Sequence, residues 1–220
     1  SNNNVHDNAD NGFGLLGLKG GAGANLISNN TVAKNGRFGI ELKNPNGNGT
    51  TSGDGSIYLD NNTVSFVTSA GMNIRDHAGI AVFRRAFQAG NPDGYPDVPT
   101  GVVIKNNTVD GYKHTNPSRI ESEGFGIVIE GTNHEVRSND VKNNDVGIQQ
   151  QGGGHPNPNY TPNDVGDGDQ LDNKSASYFG RGNAPIACGN DISSNTFTSN
   201  GLNTRNSAPG SGGNGYVLNS

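Results

Sequence analysis

The sequence predicts an all-β fold, a solenoid of stacked parallel coils. Three observations carry that prediction: a recurring Asn-Asn-Thr-Val phrase, aliphatic columns at fixed offsets from it, and a second short strand in each unit. The phrase stands at Asn29-Asn30-Thr31-Val32, Asn61-Asn62-Thr63-Val64 and Asn106-Asn107-Thr108-Val109. Looser copies are Asn3-Asn4-Val5, Ser138-Asn139-Asp140-Val141 and Ser194-Asn195-Thr196-Phe197.

Aligned on the second Asn, the copies read in columns. Three residues earlier stand Ile27, Leu59, Ile104, Val136 and Ile192; two residues later stand Val32, Val64, Val109, Val141 and Phe197. These are inward positions, with Leu26, Tyr58, Val103, Glu135 and Asp191 free to vary between them. The second strand is Phe13-Gly14-Leu15, Phe38 to Leu42, Ala78 to Val82, Phe125 to Ile129 and Val146 to Gln149, with the period-two alternation of a strand. One unit thus holds two short strands joined by a tight Asn/Gly turn. Units that cannot bury a face alone must stack.

Helical repeats are excluded by 35 Gly in 220 residues and by the lack of any apolar stripe at helical spacing. Parallel coils accommodate the composition. They stack about 4.8 Å apart, so the second Asn of each phrase lies above its counterpart and forms an internal ladder. An amide rung can bond to the coils on either side, satisfying groups that would otherwise cost about 1–3 kcal/mol each. Asn also tolerates the left-handed backbone of a sharp corner.

A net charge of -5 provides no footprint for nucleic acid or for anionic membranes, and no apolar run is long enough for membrane insertion. No signal peptide is visible, so any export signal has been removed or lies outside this sequence. The single Cys188 precludes an internal disulfide and reads as a small buried residue. Residues 1–220 read as one module with a long insertion at 152–189. Ser1 to Val5 and Gly215 to Asn219 read as coils without a capping helix, which predicts adjacent modules of a parent chain, or end-to-end self-association, as partners.

Phe38-Gly39-Ile40-Glu41-Leu42-Lys43 and Phe125-Gly126-Ile127-Val128-Ile129-Glu130-Gly131, with the Asn phrases, resemble the right-handed parallel β-helix repeats of the pectate-lyase-like superfamily. They are similar in particular to carbohydrate-binding and sugar-hydrolase repeats also found in mannuronan epimerases. The resemblance implies a right-handed single-stranded parallel β-helix and agrees with the general handedness of parallel crossovers. Val146 to Gln151, followed by Tyr178-Phe179-Gly180-Arg181-Gly182-Asn183, is similar to modules of long bacterial cell-surface proteins, which implies export and a place at the cell surface. The DPHE segment of the epimerases and the NTD and GHG motifs of polygalacturonase-like hydrolases do not occur, so no catalytic residue is carried over.

Candidate binding residues come from the outward rows of the second strand. One row is read as Leu16, Glu41, Ala81, Val128 and Gln149, the next as Leu18, Lys43, Phe83, Glu130 and Gln151. With Arg84 and Arg85 they would form a polar and aromatic strip suited to a polysaccharide. Longer connections flank the strip: Pro45 to Gly55, Ala86 to Gly101 and Gly152 to Gly189 after the strand, Ser65 to His77 and Asp110 to Glu123 before it. For lyase or epimerase chemistry His77, Lys113 or His114 could be the base and Arg84, Arg85 or Arg119 the neutralising cation. For hydrolysis Glu121 or Glu123 would need a carboxylate partner such as Glu41 or Glu130. Asp164, Asp167, Asp169 and Asp172 alternate with small residues and could hold calcium, without EF-hand spacing. The functional expectation is a non-catalytic surface module presenting loops and a groove to glycans. Alternatives are a polysaccharide lyase, C5-epimerase or hydrolase, and a pure spacer or filament unit.

Overall fold

The computed structural model describes residues 1–67, 77–83, 99–113, 124–150 and 187–206, the side chains of 187, 188, 205 and 206 excepted. All elements among them are strands, and every pairing is parallel. The first sheet stacks β1 (Asn4–His6), β4 (Thr31–Ala33), β7 (Thr63–Ser65), β10 (Thr108–Asp110), β14 (Asp140–Lys142) and β18 (Thr196–Thr198). The second stacks β2 (Phe13–Leu16), β5 (Ile40–Lys43), β8 (Ala78–Phe83), β11 (Phe125–Ile129), β15 (Val146–Gln150) and β19 (Leu202–Asn206). The third stacks β3 (Asn25–Ser28), β6 (Ile57–Asp60), β9 (Val102–Lys105), β13 (Glu135–Arg137) and β17 (Asp191–Ser193).

A complete coil therefore visits three sheets. The Asn phrase is the corner between the third and first sheets, so the strand read from sequence as one element is two. A fourth, minimal side follows the second sheet through bridges Lys19–Asn46, Asn46–Thr100 and Thr100–Thr132, then β12 (Gly131–Thr132) against β16 (Ala187–Cys188). This side corrects two boundaries. Pro45 to Gly49 is regular coil backbone, with Thr100 donating to the Pro45 carbonyl at 3.0 Å and Gly49 to Gly101 at 2.8 Å. The segment read as an insertion at 152–189 gives way to coil by Ala187.

The core follows the expected columns. Leu59, Ile104, Val136 and Ile192 from the third sheet meet Val32, Val64, Val109 and Val141 from the first and Ile40, Ile80, Ile127 and Ile148 from the second. At the first corner a residue with positive φ (Asn29 54°, Asn61 55°, Asn106 55°, Ser138 56°) turns the chain and aims the next Asn inward. Asn30, Asn62, Asn107 and Asn139 are buried. The Oδ1 of each rung accepts both the backbone N–H and the Nδ2 of the rung before it, as at Asn62 to Asn107 (2.9 and 2.9 Å) and Asn107 to Asn139 (3.0 and 3.0 Å). The Nδ2 of Asn62, Asn107 and Asn139 also donates to a carbonyl of the preceding coil: Ile27 at 2.9 Å, Leu59 at 3.1 Å and Ile104 at 3.0 Å. The buried amide is saturated, which is why this residue recurs.

Between the first and second sheets runs a glycine column, Gly12, Gly39, Gly79, Gly126 and Gly147. A Cβ at Gly79 would stand 2.3 Å from Val109 Cγ1 and 2.6 Å from the Gly126 carbonyl oxygen, and its neighbours in the column are comparably crowded. Glycine is needed here for close approach of successive coils.

Candidate functional site

The second sheet does not carry the solvated strip expected of it. Gly14, Glu41, Ala81, Val128 and Gln149 share one outward row, and Leu16, Lys43 and Phe83 share the next. The first strand is thus offset by two residues from the expected Leu16–Glu41 and Leu18–Lys43 alignment. Glu41, Ala81, Phe83, Val128, Glu130 and Gln149 are all buried, and Lys43 is half-buried. The cause lies in composition: Ala78, Ala81 and Phe83 on β8 and Phe125 and Val128 on β11 join Phe38 and Val146 in a second apolar cluster, distinct from the core. Strands that are apolar on both faces are buried on both faces.

Two of the predicted strip residues meet at the edge of this cluster. Glu41 Oε2 accepts from Asn11 Nδ2 at 2.6 Å and is 3.3 Å from Lys43 Nζ. Asn11 Oδ1 in turn accepts the Phe38 backbone N–H at 3.3 Å. The bare Gly14 leaves this amide uncrowded, since a Cβ there would lie 3.2 Å from Asn11 Nδ2. Phe38 and Phe83 pack edge to face beside the group, with centroids 5.2 Å apart.

Of the proposed base residues, His77 and Lys113 are brought together, but not as a reactive pair. His77 is buried and stacks on Phe66 at 4.4 Å, with its Nε2 2.6 Å from the Lys113 carbonyl oxygen. Tyr112 completes the aromatic group, 5.5 Å from Phe66 and 6.0 Å from His77, and burial pushes its phenol well above the usual range. The Lys113 ammonium reaches Asp145 at 3.6 Å and donates to the Asn144 carbonyl at 3.3 Å. His114, Arg119, Glu121, Glu123, Arg84, Arg85, Gln151 and the calcium candidates Asp164, Asp167, Asp169 and Asp172 lie outside the described residues, as does the strand read at Gly215 to Asn219. Among the described residues no three His, Cys, Asp or Glu side chains gather as a metal site.

Sequence reasoning passed over His134. It is buried, its Nδ1 accepts the Val102 N–H at 3.1 Å, and its Nε2 donates to the Glu130 carbonyl at 2.9 Å, which fixes the neutral tautomer. Burial lowers its pKa to about 4 against the opposing hydrogen bond from the Glu130 backbone. Its own N–H donates to Asn190 Oδ1 at 2.8 Å, so His134 and Asn190 are rungs at a third corner. The positive φ of the preceding residues, Asn133 at 56° and Gly189 at 66°, is the corner signature.

Solvent-facing polar groups lie instead on the outer face of the third sheet. Asp60, Lys105 and Arg137 occupy one row, Tyr58, Val103 and Glu135 the adjacent one. Lys105 Nζ lies 3.3 Å from Asp60 Oδ2 and 5.8 Å from the Tyr58 ring centre, and Arg137 pairs with Glu135. Tyr58, Asp60, Lys105, Glu135 and Arg137 are each partly exposed. The sequence signal covers half of this strip: Tyr58, Val103 and Glu135 belong to the freely varying column, whereas the Asp60, Lys105 and Arg137 row was not singled out.

Three parallel sheets wound by one chain around a ladder-filled core define a parallel β-helix protein. The family described as right handed beta helix region matches residues 1–165, and the chain belongs to it. No curated protein and no solved structure matches.

Proposed function

We propose that this chain is a rigid, non-catalytic β-helix module of an exported surface protein, which holds glycan chains against the outer face of its third sheet and presents its longer connections beside the second. One observation carries the reading: among the described residues, the imidazoles His77 and His134 are buried and bonded to backbone within the coil stack. A general base must reach its proton within hydrogen-bond distance, and these two face protein instead. The third-sheet strip supports glycan contact. The Tyr58 ring, the Lys105 ammonium, the Arg137 guanidinium and the Asp60 and Glu135 carboxylates are spread over three successive coils about 4.8 Å apart, which suits a long polymer better than a small ligand.

Incubating the protein with a panel of uronate and neutral polysaccharides tests this. Retention on at least one polysaccharide, without unsaturated product or new reducing ends, and lost in Tyr58→Ala/Arg137→Ala, is the expected result. Turnover abolished by His77→Ala would make the protein an enzyme, and silence in every assay would make it a spacer. A melting midpoint raised by calcium and restored by chelator would add an ion site to the scaffold role.

A further inference from the structure

The Asn11, Glu41 and Lys43 group has the parts of a self-crosslinking site. A carboxamide condenses with an amine when three conditions hold: its carbonyl is polarised, a carboxylate can carry protons between the two nitrogens, and water is kept out. The first two stand here, and the third holds at the carboxylate, whose side chain is 2% exposed against 35% for that of Lys43. The Phe38 N–H donates to Asn11 Oδ1 at 3.3 Å, drawing electron density from Cγ. The nearly buried Glu41 carboxylate holds Asn11 Nδ2 at 2.6 Å and the Lys43 ammonium at 3.3 Å on one and the same oxygen, Oε2. The two nitrogens are therefore no further apart than two hydrogen-bond lengths. The Phe38 and Phe83 rings border the group, Phe83 in register with Lys43, and the bare Gly14 leaves the space into which the Asn11 amide folds.

We propose that Lys43 and Asn11 form an intramolecular amide bond, with Glu41 as the proton carrier. Glu41 takes a proton from the Lys43 ammonium, and the freed amine attacks Asn11 Cγ to form the new C–N bond. Glu41 then delivers its proton to Nδ2, the Cγ–Nδ2 bond breaks, and nitrogen leaves as ammonia, protonated by the second hydrogen the Lys43 nitrogen sheds. One ammonium ion is released for one lysine charge lost, and neither oxidant nor cofactor is required. The product ties the segment leading into β2, the edge strand of the second sheet, covalently to β5.

A competing loss of ammonia has to be separated from this one, since Asn11 precedes Gly12 and an Asn-Gly pair can cyclise on its own backbone. That route needs the Gly12 nitrogen, which is held in a 2.9 Å bond to the Phe38 carbonyl. Intact-mass and peptide mass spectrometry of the folded chain decide the matter. The expected result is a mass one ammonia below that of the sequence, with the peptides carrying Asn11 and Lys43 joined. Both Glu41→Gln and Lys43→Arg should restore the full mass, the second while keeping the positive charge beside Glu41. A wild-type mass equal to that of the sequence overturns the proposal. So does an ammonia loss that persists in Lys43→Arg, which would assign it to cyclisation at Asn11.

Discussion

Two corners of the same coil stack make an instructive contrast. At the corner between the third and first sheets the amide ladder is unbroken from Asn3 through Asn30, Asn62, Asn107 and Asn139 to Asn195. At the corner between the first and second sheets a second ladder exists but is interrupted. Asn8 donates to Asn35, and Asn144 to Asn200, while the coils between them place Val67 and Tyr112 at the corresponding positions. Tyr112 still bonds the rung beyond it through its backbone N–H, 2.9 Å from Asn144 Oδ1, but Val67 is 49% exposed and Phe66 before it lacks the left-handed turn. The interruption coincides with the two longer connections toward the second sheet, from Ser65 to Ala78 and from Asp110 to Phe125. A coil that leaves its path cannot align an amide with its neighbours, so the Phe66, His77 and Tyr112 rings fill the corner instead.

Breaking the continuous ladder should be the most damaging change. Asn107→Ala removes the acceptor of the Asn62 N–H and Nδ2 and the donor to the Leu59 carbonyl, all buried. At about 1–3 kcal/mol for each stranded group, partly relieved by relaxation, we expect a loss of about 3–6 kcal/mol in urea denaturation. Asn35→Ala strands Asn8, which is exposed and can bond to water, so about 1 kcal/mol should be lost there. Equal losses at the two positions would erase the contrast. Next in size is Gly79→Ala at the second corner, where the added methyl meets Val109 and a backbone oxygen of the next coil. Overpacking there should cost about 3 kcal/mol, because main chain rather than a flexible side-chain tip has to yield.

How much of this was legible depends on periodicity. The Asn30, Ile27 and Val32 columns could be read because every coil repeats them at one offset, and all are where the alignment put them. The second ladder was hidden by its own interruption: with Val67 and Tyr112 in two coils, the Asn five residues after the first does not recur often enough to stand out. Glu41, Phe83 and Gln149 were misplaced for a different reason. Alternation assigns residues to opposite faces of a strand, but it cannot show that the outer face is covered too. The Glu41 carboxylate is held by Asn11 from another coil, a relation that exists only in three dimensions.

The third corner sharpens the comparison through pH, since its imidazole rung titrates and an amide rung does not. His134 is neutral in the fold with a pKa of about 4, against 6.5 in the unfolded chain. Above pH 6.5 both states are neutral and its contribution is complete. Between pH 6.5 and about 4 the unfolded chain gains a proton that the fold refuses, and stability falls by about 3 kcal/mol, at about 1.4 kcal/mol per pH unit. Below that range no further loss comes from this residue. Subtracting the pH profile of His134→Gln from that of the native chain should isolate the slope, and parallel profiles would disprove the neutral rung. Tyr112 works in the opposite direction. Its raised pKa leaves stability intact below its ordinary value of 10.0 and removes it as pH climbs beyond, a decline that Tyr112→Phe should abolish.

The smallest effect is expected outside the stack. Lys105 and Asp60 form an ion pair on the outer face of the third sheet, with side chains 18% and 25% exposed. Solvent screens such a pair, and the loss in Lys105→Ala should stay below about 1 kcal/mol, shrinking further in salt. Binding should respond differently from folding there, because Lys105 also lies over the Tyr58 ring and its removal alters the strip proposed to meet a polymer. A variant that melts like the native chain yet is no longer retained on polysaccharide would separate the two uses of polar residues in this fold, register inside and recognition outside. A fall in stability as large as that of Asn107→Ala would instead place the outer row among the groups that hold the coils together.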